Sequence, residues 1–147
     1  ELTGRPLRIL LSGAHPAQAV LSLSSRDVRI AANVPDIRSS YLAAPLFVAP
    51  MLVNTGLQNK LLEAMALERV CITTPRALSA LGRDPENTVI TGSTPAEFAF
   101  QIAHWIDRPD ACRDRGSEAR AWVRNAFGWD SATAPLVELL QSHTVSE

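Results

Sequence analysis

Short apolar runs alternate with longer amphipathic stretches up to Ile106, and this alternation is typical of a parallel α/β sheet. The run Leu46 to Ala49 is apolar at every position, as expected for a strand that helices cover on both faces. We therefore predict a Rossmann-like, doubly wound parallel sheet. The predicted strands are Leu7 to Leu11, Val28 to Ala31, Leu46 to Ala49, Val70 to Thr73 and Thr88 to Ile90.

Helices are predicted between these strands, and the chain after the last strand is predicted to be wholly helical. Asp36 can cap the second helix, and Gly82 ends the fourth. The predicted helices are His15 to Leu23, Ile37 to Leu42, Gly56 to Leu67, Pro75 to Leu81, Pro95 to Ile106, Asp110 to Phe127 and Ser131 to Gln141.

The domain organisation follows from the absence of any repeat, low-complexity tract or linker in the sequence. Residues 1–147 are therefore predicted to form one domain. A complete doubly wound nucleotide-binding sheet commonly has about six strands, which is more than the pattern indicates. Two explanations remain open: the sheet is small, or its first βα unit lies upstream of Glu1.

Composition and charge argue against several classes of function. The chain is 46% apolar and 20% charged, with a net charge of -1. This balance does not favour a nucleic acid or an anionic membrane surface as a partner. No apolar run approaches the roughly 20 residues that a membrane span needs. Cys71 and Cys112 are unpatterned, and no histidines stand at metal spacing, so we predict neither a disulfide nor a metal site.

The segment from Pro50 to Ala66 carries the strongest indication of chemistry, and it contains Lys60, the only lysine of the chain. Thr55 and Gln58 fit a capping box, which predicts that a helix starts at Gly56, just beyond the carboxyl end of a strand. Ligands of open α/β sheets bind at that edge. The backbone N–H groups of the first helical turn would attract a phosphate there.

One face of this predicted helix carries Gly56, Asn59, Lys60 and Glu63. The opposite, core-facing stripe consists of Leu57, Leu61, Ala64 and Met65. Glu63 would lie about 10 Å along the axis from Gly56, which is about the span from a diphosphate to its ribose. A buried carboxylate at that point can accept hydrogen bonds from ribose hydroxyls. The alternative is that Lys60 and Glu63 form a weak exposed salt bridge.

These residues resemble the donor-binding half of retaining GT-B glycosyltransferases of group 1, family four. The similarity is centred on the turn Thr55-Gly56, the helix segment Leu62-Glu63-Ala64-Met65-Ala66 and the strand Val70 to Thr74. It extends from about Arg8 to Trp129 and includes the turn Val34-Pro35-Asp36-Ile37. The resemblance implies the GT-B C-terminal fold, without its first βα unit.

The resemblance also implies roles for individual residues. Glu63 would hold the donor ribose, while Gly56, Leu57 and the adjacent loop would face the diphosphate and the sugar. Lys60 would assist at the diphosphate, with Asn59 on the same helix face. Asn33 and Val34 would border the base. Thr55 occupies a position where many members carry an acid, which leaves the identity of the sugar open.

The enzyme implied by this resemblance transfers a hexose from a UDP- or GDP-linked sugar to a saccharide or related acceptor, as in polysaccharide biosynthesis, and needs no other cofactor. Its acceptor-binding half would lie outside this chain, so we expect the 147 residues to be inactive alone, with their catalytic residues unassigned. The helix after Trp129 would cross back toward that half. The intact enzyme is expected in the cytoplasm or peripherally attached to the inner membrane face.

Two alternatives stay open at the level of sequence. Sugar-nucleotide 2-epimerases use a similar fold of two halves, so the chain could be half of such an isomerase. A non-catalytic, flavodoxin-like interaction module has a strand, turn and helix of similar shape.

Overall fold

Parallel strands and helices alternate along the chain in the order that the hydrophobic pattern predicts. The computed structural model describes residues 6–53, 56–82, 85 and 88–143. The strands are β1 (Ile9–Gly13), β2 (Val28–Ala32), β3 (Leu46–Ala49), β4 (Val70–Thr73) and β5 (Val89–Thr91). The helices are α1 (Gln18–Leu21), α2 (Arg38–Leu42), α3 (Asn59–Ala66), α4 (Pro75–Ser79), α5 (Pro95–Ile106), α6 (Pro109–Phe127) and α7 (Trp129–His143). The α/β, Rossmann-like class and the helical C-terminal segment are thereby confirmed.

The strands divide into two sheets, whereas the sequence predicts one. Strands β1 and β2 pair in parallel, and strands β3, β4 and β5 form a second parallel sheet in that order. In the described part of the chain, β1 has no partner strand on the side away from β2, and β3 has none on the side away from β4. Hydrophobic periodicity predicts which segments are strands but not which strands become neighbours, so the sequence could not show this break.

The hydrophobic core lies around β4. All four residues of this strand are fully buried, because β3 and β5 flank it while α3 and α6 pack on the sheet. The α3 side chains in this core are those of Leu61, Ala64 and Met65, as the helical periodicity predicts. Ala119 and Val123 contribute the facing side chains of α6. Strand β4 thus fixes the helix that carries the predicted site.

The C-terminal end of α3 is locked against α6. Glu68 has a left-handed backbone with φ +60°, and its N–H donates to the carbonyl of Met65. The Arg69 N–H donates to the carbonyl of Ala64, which completes a Schellman motif. A Cβ on Gly116 of α6 would lie 2.2 Å from the carbonyl oxygen of Glu68, so the two backbones approach as closely as glycine allows. Arg120 forms an ion pair with Glu68 at 2.7 Å.

The last helix, α7, presents apolar side chains to solvent. Trp129 is 85% exposed and Leu140 is 61% exposed, and α7 packs on α6. A compact protein of 15.9 kDa exposes about 7,400 Å², whereas this chain exposes 10,232 Å². None of the helices in the described residues combines the length and the apolar character that crossing a membrane requires.

Candidate functional site

The predicted site lies at the carboxyl edge of the sheet formed by β3, β4 and β5, and two threonines at the end of β4 shape it. The hydroxyl of Thr73 donates to the carbonyl of Ala49 at 2.8 Å. The hydroxyl of Thr74 donates to the carbonyl of Met51, also at 2.8 Å. The backbone N–H of Met51 donates to the carbonyl of Ala49, which forms a tight turn. These bonds attach the loop that follows β3 to the end of β4.

The helix of the site starts later than the capping box predicts. Gly56 has φ +125°, a conformation that side-chain-bearing residues rarely adopt, so the chain is still turning at this residue. Gln58 is buried, and its side-chain amide donates to the carbonyl of Gly56 at 2.9 Å, which stabilises the turn. Helix α3 then begins at Asn59 with Gln58 in the N-cap position. Thr55, the predicted cap, lies outside the described residues.

This later start changes the predicted geometry of the site. Gly56 lies before α3 and not on it, so the span of about 10 Å along one helix axis does not apply. Leu57 is 49% exposed and does not belong to the core-facing stripe. Asn59, Lys60 and Glu63 do share the exposed face of α3, as predicted.

Glu63 is exposed, in contrast to the predicted buried carboxylate, and it has a specific partner. The phenol of Tyr41, at the end of α2, donates to Oε2 of Glu63 at 2.9 Å. Burial and this bond to the carboxylate together raise the pKa of Tyr41 well above its usual value. Sequence reasoning missed Tyr41 because a contact between residues 22 positions apart leaves no local pattern.

Lys60 and Glu63 do not form the salt bridge that was the alternative interpretation. The ammonium group of Lys60 lies 3.6 Å from the sulfur of Met51 in the loop after β3. Within the described residues, Glu63 has its contact with Tyr41 and no ion pair with Lys60. A cation and a carboxylate are therefore both exposed on one helical face.

Asn33 and Val34, the residues predicted to border a base, lie at the carboxyl end of the sheet formed by β1 and β2. Asn33 has a left-handed backbone with φ +52°, and its N–H donates to the carbonyl of Gly13. Its side-chain oxygen accepts the N–H of His15, whose φ is +49°. This bond joins the ends of β1 and β2. Val34 is half-buried beside it.

The chemistry available at this edge is that of binding. Lys60 can attract an anion, and the Glu63 carboxylate can accept hydrogen bonds from hydroxyl groups. Among the residues that the structure describes, no three His, Cys, Asp or Glu side chains are grouped so that they could hold a metal ion. The arrangement therefore suits a ligand that carries both phosphate and hydroxyl groups.

Comparisons with known proteins agree with this architecture. The fold is similar to that of a solved glycosyltransferase from Rickettsia africae ESF-5, with a TM-score of 0.72 and 16% sequence identity. The similarity covers 99% of this chain and 42% of that one, so the chain spans less than half the length of the solved protein. No curated protein sequence matches the chain. Residues 2–108 match the family of glycosyl transferases, group 1, and this match covers most of the chain. The chain therefore belongs to the group 1 glycosyl transferases.

Proposed function

We propose that this chain is the part of a retaining glycosyltransferase of family four that binds a nucleotide-sugar donor. The donor is a UDP- or GDP-linked hexose, and the intact enzyme transfers that hexose to a saccharide or related acceptor. The observation that carries this proposal is the exposed face of α3, where Lys60 and Glu63 lie at the carboxyl edge of a parallel sheet without pairing with each other. Family membership favours a transferase over an epimerase or an interaction module.

Glu63 is proposed to bind the ribose. One of its oxygens accepts the bond from Tyr41, and the other has no partner among the described residues. A ribose presents two neighbouring hydroxyl donors, and a carboxylate can accept both. Charge-assisted hydrogen bonds of this kind contribute about 1.5–3 kcal/mol each.

Lys60 is proposed to bind the diphosphate, together with the turn that precedes α3. A Cβ added to Gly56 would meet no described atom within 4 Å beyond the two neighbouring residues, so a phosphate could approach the backbone on that side. Leu57 and Asn59 are exposed between Gly56 and Lys60, where they would contact the diphosphate or the sugar. Lys60 would exchange its contact with Met51 for a phosphate oxygen, because an ammonium group interacts far more strongly with an anion than with a thioether.

The base is proposed to lie against Asn33 and Val34. Both residues follow β2, whose carboxyl end lies at the same edge of the sheet as that of its parallel partner, β1. The hydrogen bond from His15 to the Asn33 side chain holds this turn in its left-handed conformation. A base placed here would lie on the β1–β2 side of the ribose site.

The remainder of the enzyme is proposed to complete both the sheet and the cleft. A further parallel strand between β1 and β3 would join the two sheets in the order β2, β1, new strand, β3, β4 and β5. This is the arrangement of a doubly wound nucleotide-binding domain. The exposed apolar side chains of α7 would contact the acceptor-binding half, in which catalytic groups are expected.

Titration calorimetry of the intact protein with UDP, GDP and their hexose conjugates tests the donor site. We expect Glu63→Ala to weaken binding by about 10- to 100-fold, the equivalent of one lost charge-assisted bond. Glu118→Ala removes an exposed carboxylate from α6 and serves as the control with unchanged binding. Failure of the intact protein to bind any of these nucleotides would exclude a donor site, and unchanged binding in Glu63→Ala would exclude the ribose role.

A further inference from the structure

We propose that Tyr41 is a positioning residue, which holds the Glu63 carboxylate in the orientation that receives the donor ribose. This inference rests on the proposed function, because it deepens the role of Glu63. The contact that carries it is the 2.9 Å hydrogen bond from the Tyr41 phenol to Oε2 of Glu63.

The Tyr41 ring is fixed by packing. It belongs to the half-buried side chains that pack against the hydrophobic core, and its centre lies 5.3 Å from that of the Phe47 ring. The rings are tilted by 58°, a common geometry for packed aromatic pairs. A phenol on an immobilised ring offers its hydroxyl at a defined point. Tyr41 can therefore impose an orientation on a flexible partner.

Glu63 is such a flexible partner. It is exposed on α3, and no arginine, lysine or histidine is paired with it in the described part of the chain. Without Tyr41 its carboxylate would sample several rotamers, and a ligand would have to select one of them. Ordering one long side chain weakens binding by a factor of about 2 to 10. The bond from Tyr41 removes most of this cost before the ligand arrives.

The same bond connects two parts of the candidate site. Tyr41 lies in the connection between β2 and β3, which also carries Asn33 and Val34. Glu63 lies on the exposed face of α3, beyond β3. A second hydrogen bond joins the segments that follow α2 and α3, because the guanidinium of Arg69 donates to the carbonyl of Ala44 at 3.3 Å. Tyr41 thus sets the ribose-binding carboxylate relative to the turn proposed to hold the base.

Calorimetry with UDP, GDP and their 2′-deoxy forms measures this effect in the intact protein. We expect Tyr41→Phe to weaken binding of the ribonucleotide by about 3- to 10-fold. The same change should alter binding of the 2′-deoxynucleotide much less, because that ligand lacks one hydroxyl for the oriented carboxylate. In a Glu63→Ala background, Tyr41→Phe should have no further effect. A purely structural role would weaken both nucleotides equally.

Thr88→Val is the matched control, because it removes a buried hydroxyl that donates to the carbonyl of Pro85 at 2.7 Å and not to Tyr41 or Glu63. It should lower stability without changing nucleotide selectivity. Tyr41 is the only tyrosine of these 147 residues, so in this chain by itself the tyrosinate absorbance reports this side chain alone. Its midpoint should move to lower pH in Glu63→Gln.

The outcomes separate the two proposals. If the intact protein binds none of the nucleotides, the proposed function fails and this inference fails with it. If Glu63→Ala weakens binding but Tyr41→Phe binds like the wild type, the function stands and the positioning role is wrong. Ionisation of Tyr41 at about pH 10, the value of a free tyrosine, while the chain is still folded overturns the pairing itself, even if Tyr41→Phe does not fold.

Discussion

At the scale of single residues, the site depends on partners that come from other elements. Lys60 and Glu63 are three positions apart on one helix, yet Lys60 contacts a loop residue and Glu63 accepts a bond from the end of α2. Gln58 is buried in the turn before the helix, although glutamine is usually exposed. Its side-chain amide takes the place of a backbone donor for the Gly56 carbonyl. The residues that orient the site are thus largely uncharged.

The buried thiol of Cys71 predicts alkaline sensitivity. Burial on β4 raises the pKa of Cys71 well above its usual value, whereas in the unfolded chain the thiol ionises at about pH 8.5. Above that pH the unfolded state binds fewer protons than the folded state. The free energy of unfolding therefore falls as pH rises, by up to about 1.4 kcal/mol per pH unit.

Urea denaturation between about pH 8 and 10 measures this slope. We expect a shallower decline in Cys71→Ala, because only the thiol of Cys112 remains to ionise on unfolding in this variant. Val89→Ala is the control: it also creates space in the core, on the neighbouring strand β5, but it should keep the wild-type slope. Equal slopes in Cys71→Ala and the wild type would contradict the prediction.

At the scale of elements, strand positions and helix faces follow from the sequence, and the exact start of α3 does not. The bounds of β3, β4 and α5 agree with the predicted ones, because their apolar patterns and their Thr-Pro or Pro boundaries are local. The start of α3 depends on the backbone of Gly56, whose φ no residue pattern specifies. Likewise, β1 pairs with β2 and with no other described strand, and this depends on which strands are available as neighbours.

The contact between α3 and α6 predicts that Gly116→Ala is destabilising. The new Cβ would lie 2.2 Å from the carbonyl oxygen of Glu68 and 2.8 Å from its carbonyl carbon, so one of the two backbones must move. Overpacking of this kind costs about 1–3 kcal/mol, although alanine has the higher helix propensity. Urea denaturation measures the loss. Ser117→Ala, on the exposed side of the same helix, should be neutral or slightly stabilising.

The left-handed backbone of Glu68 predicts the opposite effect for Glu68→Gly. A non-glycine residue in this conformation costs about 1–2 kcal/mol, and glycine is the usual residue at this position of a Schellman motif. The substitution also removes the exposed ion pair with Arg120, which contributes about 0.2–1 kcal/mol. We expect Glu68→Gly to raise the free energy of unfolding by about 1 kcal/mol in an Arg120→Ala background and by less in the wild-type background. A loss of stability in both backgrounds would argue against strain at Glu68.

At the scale of the whole molecule, the surface is larger than that of a compact protein of this mass, and the excess has identifiable sources. Every residue of β1 and β2 is exposed or only half-buried, although parallel strands are usually covered on both faces. Helix α7 adds the exposed Leu136, Leu139 and Leu140. These surfaces are the ones that the proposed further strand and acceptor-binding half would cover.

Among the described residues, one edge of β1 and one edge of β3 have no partner strand between the two sheets, and this has a practical consequence for any preparation of these 147 residues by themselves. An open strand edge is a template for intermolecular pairing, and neither β1 nor β3 contains a lysine or a proline that would block it. Sedimentation velocity should therefore reveal self-association that grows with concentration. Ile9→Lys on β1 should reduce it, while Leu23→Lys, on an exposed turn outside the sheets, should not. A longer form in which a strand occupies the gap should associate less, so the degree of self-association reports on whether the gap in the sheet is filled.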